Sequence, residues 1–167
     1  MSDETHDTTG DEHVIDPSVP FDPEAFEKLL QRECKIWQKR LRLQDWNVHV
    51  QLCRLNEMPG REALGAIFPS IERKDALMKL LSPMDVPLIA ENFQGDEEMN
   101  YGLTIVHELI HIHLWPFTQN QDDAQLVAEE QAVNALSRSL VAAYLDKATL
   151  LTRVKSTTVA KEHGHYL

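Results

Sequence analysis

The sequence predicts an α+β domain: an N-terminal helix, a small, mainly antiparallel sheet of about three strands, then two packed helices. Three observations predict it. Apolar residues recur every three or four positions across 22–42, every second position across 46–52, and at helical spacing again beyond residue 96. The chain has 167 residues, a length that bounds it to one domain, placed at 21–154. Its 16 Lys plus Arg against 27 Asp plus Glu leave a net charge of -11, which disfavours binding to phosphate or anionic membranes through bulk charge.

Residues 1–20 hold six of the acids, no Lys or Arg and almost nothing apolar before Val14, the composition of a disordered acidic tail. Residues 21–167 then carry 16 basic against 21 acidic groups, or -5, so the acidity belongs more to the leader than to the fold. Asp22 can cap the first helix, Pro23 suits its first turn and Glu24 its positive end. Phe26, Leu30, Cys34, Trp37 and Leu41 make one apolar stripe down that helix, which ends near Arg42. Cys34 lies within the stripe and takes a core role.

Trp46, Val48, Val50 and Leu52 alternate with Asn47, His49 and Gln51, so 46–52 is a half-buried strand with His49 on its wet face. Residues 64–71 and 76–82 read as two further strands joined by the polar hairpin 72–75. Pro83 and Pro87 interrupt regular structure, and 83–95 reads as loop. A second helix runs from near Asp96 to Trp115, where Pro116 stops it, and a third from about Asp122 to Asp146. Residues 155–167 lack periodicity and read as a frayed tail. No signal-like or membrane-spanning run is present. Cys34 and Cys53 form no disulfide framework, so a cytoplasmic setting is expected.

The second helix contains His107-Glu108-Leu109-Ile110-His111, the H-E-x-x-H pattern. On a helix His111 lies about 40° round and about 6 Å along from His107, so both imidazoles can reach one metal ion, with Glu108 in the same sector. Neutral imidazoles suit Zn²⁺, and Glu108 suits a general base that takes the proton of a water attacking a carbonyl. Apolar Leu103, Ile105, Val106, Leu109, Ile110, Ile112 and Leu114 surround most of this helix, while Thr104, His107, Glu108 and His111 gather on one side, as in a lined cleft. His113 points about 200° away from His111 and reads as packed or backbone-bonded.

A third ligand is expected from the last helix. Its stripe of Leu126, Val133, Leu136, Leu140 and Tyr144 is flanked by Glu129 and Glu130, and periodicity does not choose between them. Asn134, one turn after Glu130, could hold a ligand histidine's free ring nitrogen, which favours Glu130. Neither Tyr101 nor Tyr144 is placed to stabilise an oxyanion.

His107-Glu-Leu-Ile-His111 followed by Glu130-Gln-Ala-Val-Asn134-Ala-Leu-Ser resembles a small gluzincin-type metallopeptidase domain, similar to the ImmA/IrrE-like and SprT-like minimal zincins, including phage and prophage forms. The resemblance covers mainly 96–141, with weaker support from Trp46-Asn-Val-His-Val. It implies a zincin-like fold, His107, His111 and Glu130 as zinc ligands, and Glu108 as catalytic base. It also implies a peptide or protein substrate paired along the sheet edge, and narrow, regulatory cleavage. A zinc-binding interaction protein that has lost turnover is the competing expectation; the intact Glu108 argues for the enzyme.

Overall fold

The computed structural model describes residues 21–60, 63–89, 99–118, 121–145 and 153–154. The expected acidic tail at 1–20 and frayed tail at 155–167 lie outside them.

Helix α1 (Pro23–Arg40) starts where the sequence places it, because Asp22 Oδ1 accepts hydrogen bonds from the Glu24 and Ala25 amides at 3.0 and 3.1 Å. It stops two residues before Arg42. Arg42 adopts a left-handed φ of 59°, and the Leu43 amide reaches back to Gln38 O at 2.8 Å, which closes the last turn as a Schellman motif. Phe26, Leu30, Cys34 and Trp37 are buried as expected and Leu41 partly so; Glu33 and Gln38 are buried beside them.

Strands β1 (Asn47–Cys53), β2 (Gly65–Ser70) and β3 (Asp75–Leu81) form one sheet in the order β1-β3-β2. The expectation of a mainly antiparallel sheet is corrected: β2 and β3 are antiparallel across their hairpin, but β1 pairs with β3 in parallel, so the sheet is mixed. The hairpin returns with β3 in the middle, and the chain from β1 must cross the sheet to reach β2. β1 is therefore flanked by β3, the more apolar of the two hairpin strands, which takes the central position. Val48 and Val50 of β1, Ile67 of β2, and Ala76, Met78 and Leu80 of β3 are buried, and α1 and α3 pack against the sheet.

The stretch expected as loop after β3 contains a four-residue helix, α2 (Val86–Ile89), and Asp85 just before it accepts paired bonds from Arg54 Nε and Nη2, both at 2.7 Å. Residues 90–98 are outside the described residues, and the second helix, expected from near Asp96, is corrected: 99–100 are extended and the helix begins only at Tyr101. Met99–Asn100 is a short strand, β4, paired with β5 (Arg153–Val154). Helix α3 (Tyr101–Leu114) follows, its amide end capped by Asn100 Oδ1 on Leu103 N at 3.0 Å, and a 3-10 turn at Trp115–Phe117 carries Pro116. Helix α4 (Asp123–Leu145) opens with a reciprocal box: Asp122 Oδ1 accepts from Gln125 N at 2.8 Å, and Gln125 Oε1 accepts from Asp122 N at 3.0 Å.

α4 packs on α3 along a face that shares Val133, Leu140 and Tyr144 with the expected stripe but is rotated from it. Val133, Ser137 and Val141 are buried, with Leu140 and Tyr144 half-buried, whereas Leu126 and Leu136 are about half exposed. On a helical wheel this rotates the contact face by about 30° towards the Glu130 side.

Candidate metal centre

α3 is a largely buried helix, and of the polar residues that interrupt its apolar surface His107 and His111 meet α4, while Thr104 and Glu108 face the start of β2. His107 and His111 stand one turn apart, and their Nε2 atoms approach to 3.1 Å. From α4, Glu130 presents Oε2 to His107 Nε2 and Oε1 to His111 Nε2, each at 3.3 Å. Among the described residues these three form a group whose ligand atoms all lie within 4.8 Å of one another. Donors about 2.0–2.1 Å from a tetrahedral cation sit about 3.3 Å apart, so three corners of such a shell already stand at the required spacing. The donor set, two imidazoles and a carboxylate, suits a first-row transition metal.

The structure uses both glutamates between which periodicity did not choose. Glu129 does not face the cluster; its Oε1 lies 3.0 Å from His111 Nδ1, the outer ring nitrogen. That carboxylate accepts a hydrogen bond from Nδ1–H, which keeps the proton on Nδ1 and leaves the Nε2 lone pair free to bind a cation. Asn134, picked out for an imidazole, stands beside His107 on α4, where its side chain favours the charged form of that ring. Each histidine thus has its own orienting partner on α4. The partner role of Glu129 was missed because the sequence reading set the two glutamates against each other, although adjacent positions on a helix can flank one contact face from either side.

Burial, and after it the neighbouring His111, holds His107 below the usual imidazole range; Glu130 and Asn134 oppose this. His107 is therefore neutral, the form that binds metal. Glu130 is the open side of the centre, its side chain 54% exposed against 19% and 16% for His107 and His111.

Glu108 is 6% exposed and its carboxylate has no hydrogen bond among the described residues. Burial, with the charge of Glu130 added, pushes it up to about 8. Across from it lies the start of β2. A Cβ at Gly65 would meet Glu108 Oε1 and Thr104 Cγ2 at 2.7 Å each, so strand and helix approach as closely as they do only because residue 65 is glycine. The sequence reading passed over Gly65, for a lone glycine in a strand pattern has no partner visible in one dimension.

The remaining candidates fall elsewhere. His113 Nε2 donates to Leu41 O at 2.8 Å, the backbone-bonded role expected of it. His49 is exposed beside Asn47. Tyr101 is fully buried, its hydroxyl donating to Leu81 O at 2.6 Å, and Tyr144 packs on Trp37 and Arg40. Cys34 and Cys53 are free and buried. No helix among the described residues is long and apolar enough to cross a membrane. No family model, no curated protein and no solved structure matches this chain, so its description rests on a possible His107, His111 and Glu130 metal centre in an α+β fold with a three-stranded mixed sheet.

Proposed function

We propose that the protein is a zinc-dependent peptidase that hydrolyses a peptide bond, with His107, His111 and Glu130 as metal ligands and Glu108 as general base. The observation that carries this reading is the convergence of two imidazole nitrogens and one carboxylate at 3.1–3.3 Å, with a second acidic group, Glu108, close enough to feel the charge of Glu130. Zinc in such a site supplies a Lewis acid that polarises a carbonyl and makes water acidic.

The chain's own residues divide the remaining work. Glu129 and Asn134 orient the two imidazoles. Glu108 takes the proton of the attacking water and returns it to the leaving amine. A cation among the three ligands offsets the charge of Glu130, one of the two influences that keep Glu108 protonated, and so favours the ionised base.

The β2 edge supports a peptide as substrate. Leu81 N donates to Leu64 O at 2.9 Å, so by strand alternation the amides of residues 64, 66, 68 and 70 serve β3 while those of Gly65 and Ile67 point to the other edge. Pro69 follows in that outward series, where its missing N–H costs the sheet nothing. No strand among the described residues pairs with that edge. An extended peptide laid along Gly65 and Ile67 passes beside Glu108.

Metal analysis of the purified chain should find about one zinc, and His111→Ala should lose it. Glu108→Gln should keep the zinc and lose cleavage, read as new peptide termini in a proteome-derived peptide library. Cleavage by Glu108→Gln at the wild-type rate would sink the mechanism. Zinc binding without cleavage in the wild type would assign the chain to the metal-binding interaction proteins.

A further inference from the structure

We propose that Gly65 is a positioning residue for Glu108: by lacking a side chain, it leaves the space in which the general-base carboxylate sits. The inference rests on the metallopeptidase reading. Gly65 is in ordinary extended backbone within β2, paired with Leu80, and has no left-handed φ that would demand glycine. Close approach is the remaining reason for a glycine there. Ile67, two residues on and on the same face, is buried against the helical layer, so a side chain at 65 points at α3. The atoms it would strike are Glu108 Oε1 at 2.7 Å, Thr104 Cγ2 at 2.7 Å and Glu108 Cγ at 3.0 Å.

Two of these three belong to Glu108. Since no hydrogen bond among the described residues holds its carboxylate, its place is set by its rotamer on α3 and by the wall that β2 presents. A methyl group at 65 moves that wall into the carboxylate. The fold can yield at the far end of a glutamate at little cost, whereas catalysis cannot, since misplacing a reacting group by about 1 Å costs about 100-fold. Thr104 is different: it is stiff at χ1, and its Oγ1 donates to Asn100 O at 3.2 Å, so a clash with Cγ2 would fall on the fold. Thr104→Ser removes the methyl and keeps that hydroxyl, which separates the two collisions.

The probe is acetohydroxamate, titrated into the Co(II)-substituted full chain and followed by the cobalt d–d absorption. It chelates the metal, and its N–O–H proton passes to the carboxylate beside the metal, so its affinity reports where Glu108 is without a known substrate. Against Thr104→Ser alone, the Gly65→Ala/Thr104→Ser pair should bind the probe at least about tenfold more weakly, approaching Glu108→Gln, with metal content unchanged. In a Glu108→Asp/Thr104→Ser background, where the shorter side chain withdraws from the wall, adding Gly65→Ala should change the affinity less than about threefold, an outcome a purely structural glycine does not predict. A wild-type chain that holds no metal overturns the function and this inference together. A metal-loaded Gly65→Ala/Thr104→Ser pair that binds the probe within about threefold of Thr104→Ser overturns the inference alone. So does an equal loss in the Glu108→Asp/Thr104→Ser background.

Discussion

Glu33 has no exposed surface, yet only one of its carboxylate oxygens is satisfied: Oε1 accepts from Trp37 Nε1 at 2.8 Å, and Oε2 has no partner among the described residues. Burial pushes its carboxyl from 4.5 up to about 7, against the opposing hydrogen bond from Trp37 and the charge of Arg40. The folded chain therefore holds a proton that the unfolded chain releases. Stability from this group is complete below about pH 4.5, declines as pH rises and is gone above about pH 7. The change is on the order of 3 kcal/mol. Glu33→Gln, which mimics the protonated acid, should flatten that decline. Its urea midpoint should exceed the wild type's at pH 8 and lose the advantage at pH 5; an equal shift at both values would refute the account. Nothing in the helical pattern announces Glu33. It flanks a stripe that includes its neighbour Cys34, and its burial depends on Trp37, one turn along, and on the packing around it.

Helix ends were the more legible features. Asp22 before Pro23 marks the start of α1, and the structure shows the expected bonds to the Glu24 and Ala25 amides. Asp22→Ala should cost about 1 kcal/mol by thermal or urea unfolding. The other end was legible only to within two residues, since the position that turns left-handed carries Arg42 rather than the usual glycine. Arg42→Gly should therefore stabilise the protein, by up to about 1 kcal/mol, a sign opposite to that of glycine elsewhere in α1. For α4, periodicity identified the helix and placed its face to within about 30°. Counting apolar residues adds Leu126 and Leu136 to Val133, but the residues the fold buries beside Val133 are Ser137 and Val141, one of them polar. Ser137 tolerates this burial because its hydroxyl donates to Asn134 O at 3.1 Å.

At the scale of the molecule, the candidate centre joins two helices of unequal support. α3 is packed by α1, β2 and α4, while α4 holds to the rest through a narrow face and leaves most of its surface exposed. A cation bound by His107 and His111 from one and Glu130 from the other clamps the weaker helix to the stronger. At a free zinc concentration about 100 times the dissociation constant, the clamp is worth about 2.7 kcal/mol. Amide hydrogen exchange across 123–145 should slow by up to about 100-fold on zinc loading, with α1 affected less in any opening that releases α4 alone, and a chelator should reverse it. His111→Ala should show no such response.

What the sequence determined by itself is local: most of the helix and strand segments, the Asp22 cap, and the placement of His107, Glu108 and His111 on one face of a buried helix. These follow from backbone geometry, which repeats every 3.6 or 2 residues and needs no distant partner. What only the tertiary structure decided is relational. The parallel pairing of β1 with β3, the rotation of α4, the use of Glu130 in the cluster with Glu129 behind His111, and the approach of Gly65 to Glu108 each depend on two segments far apart in the chain. Their relative placement comes from close packing, in which rotating one helix by a fraction of a turn exchanges which of two adjacent glutamates meets the facing histidines.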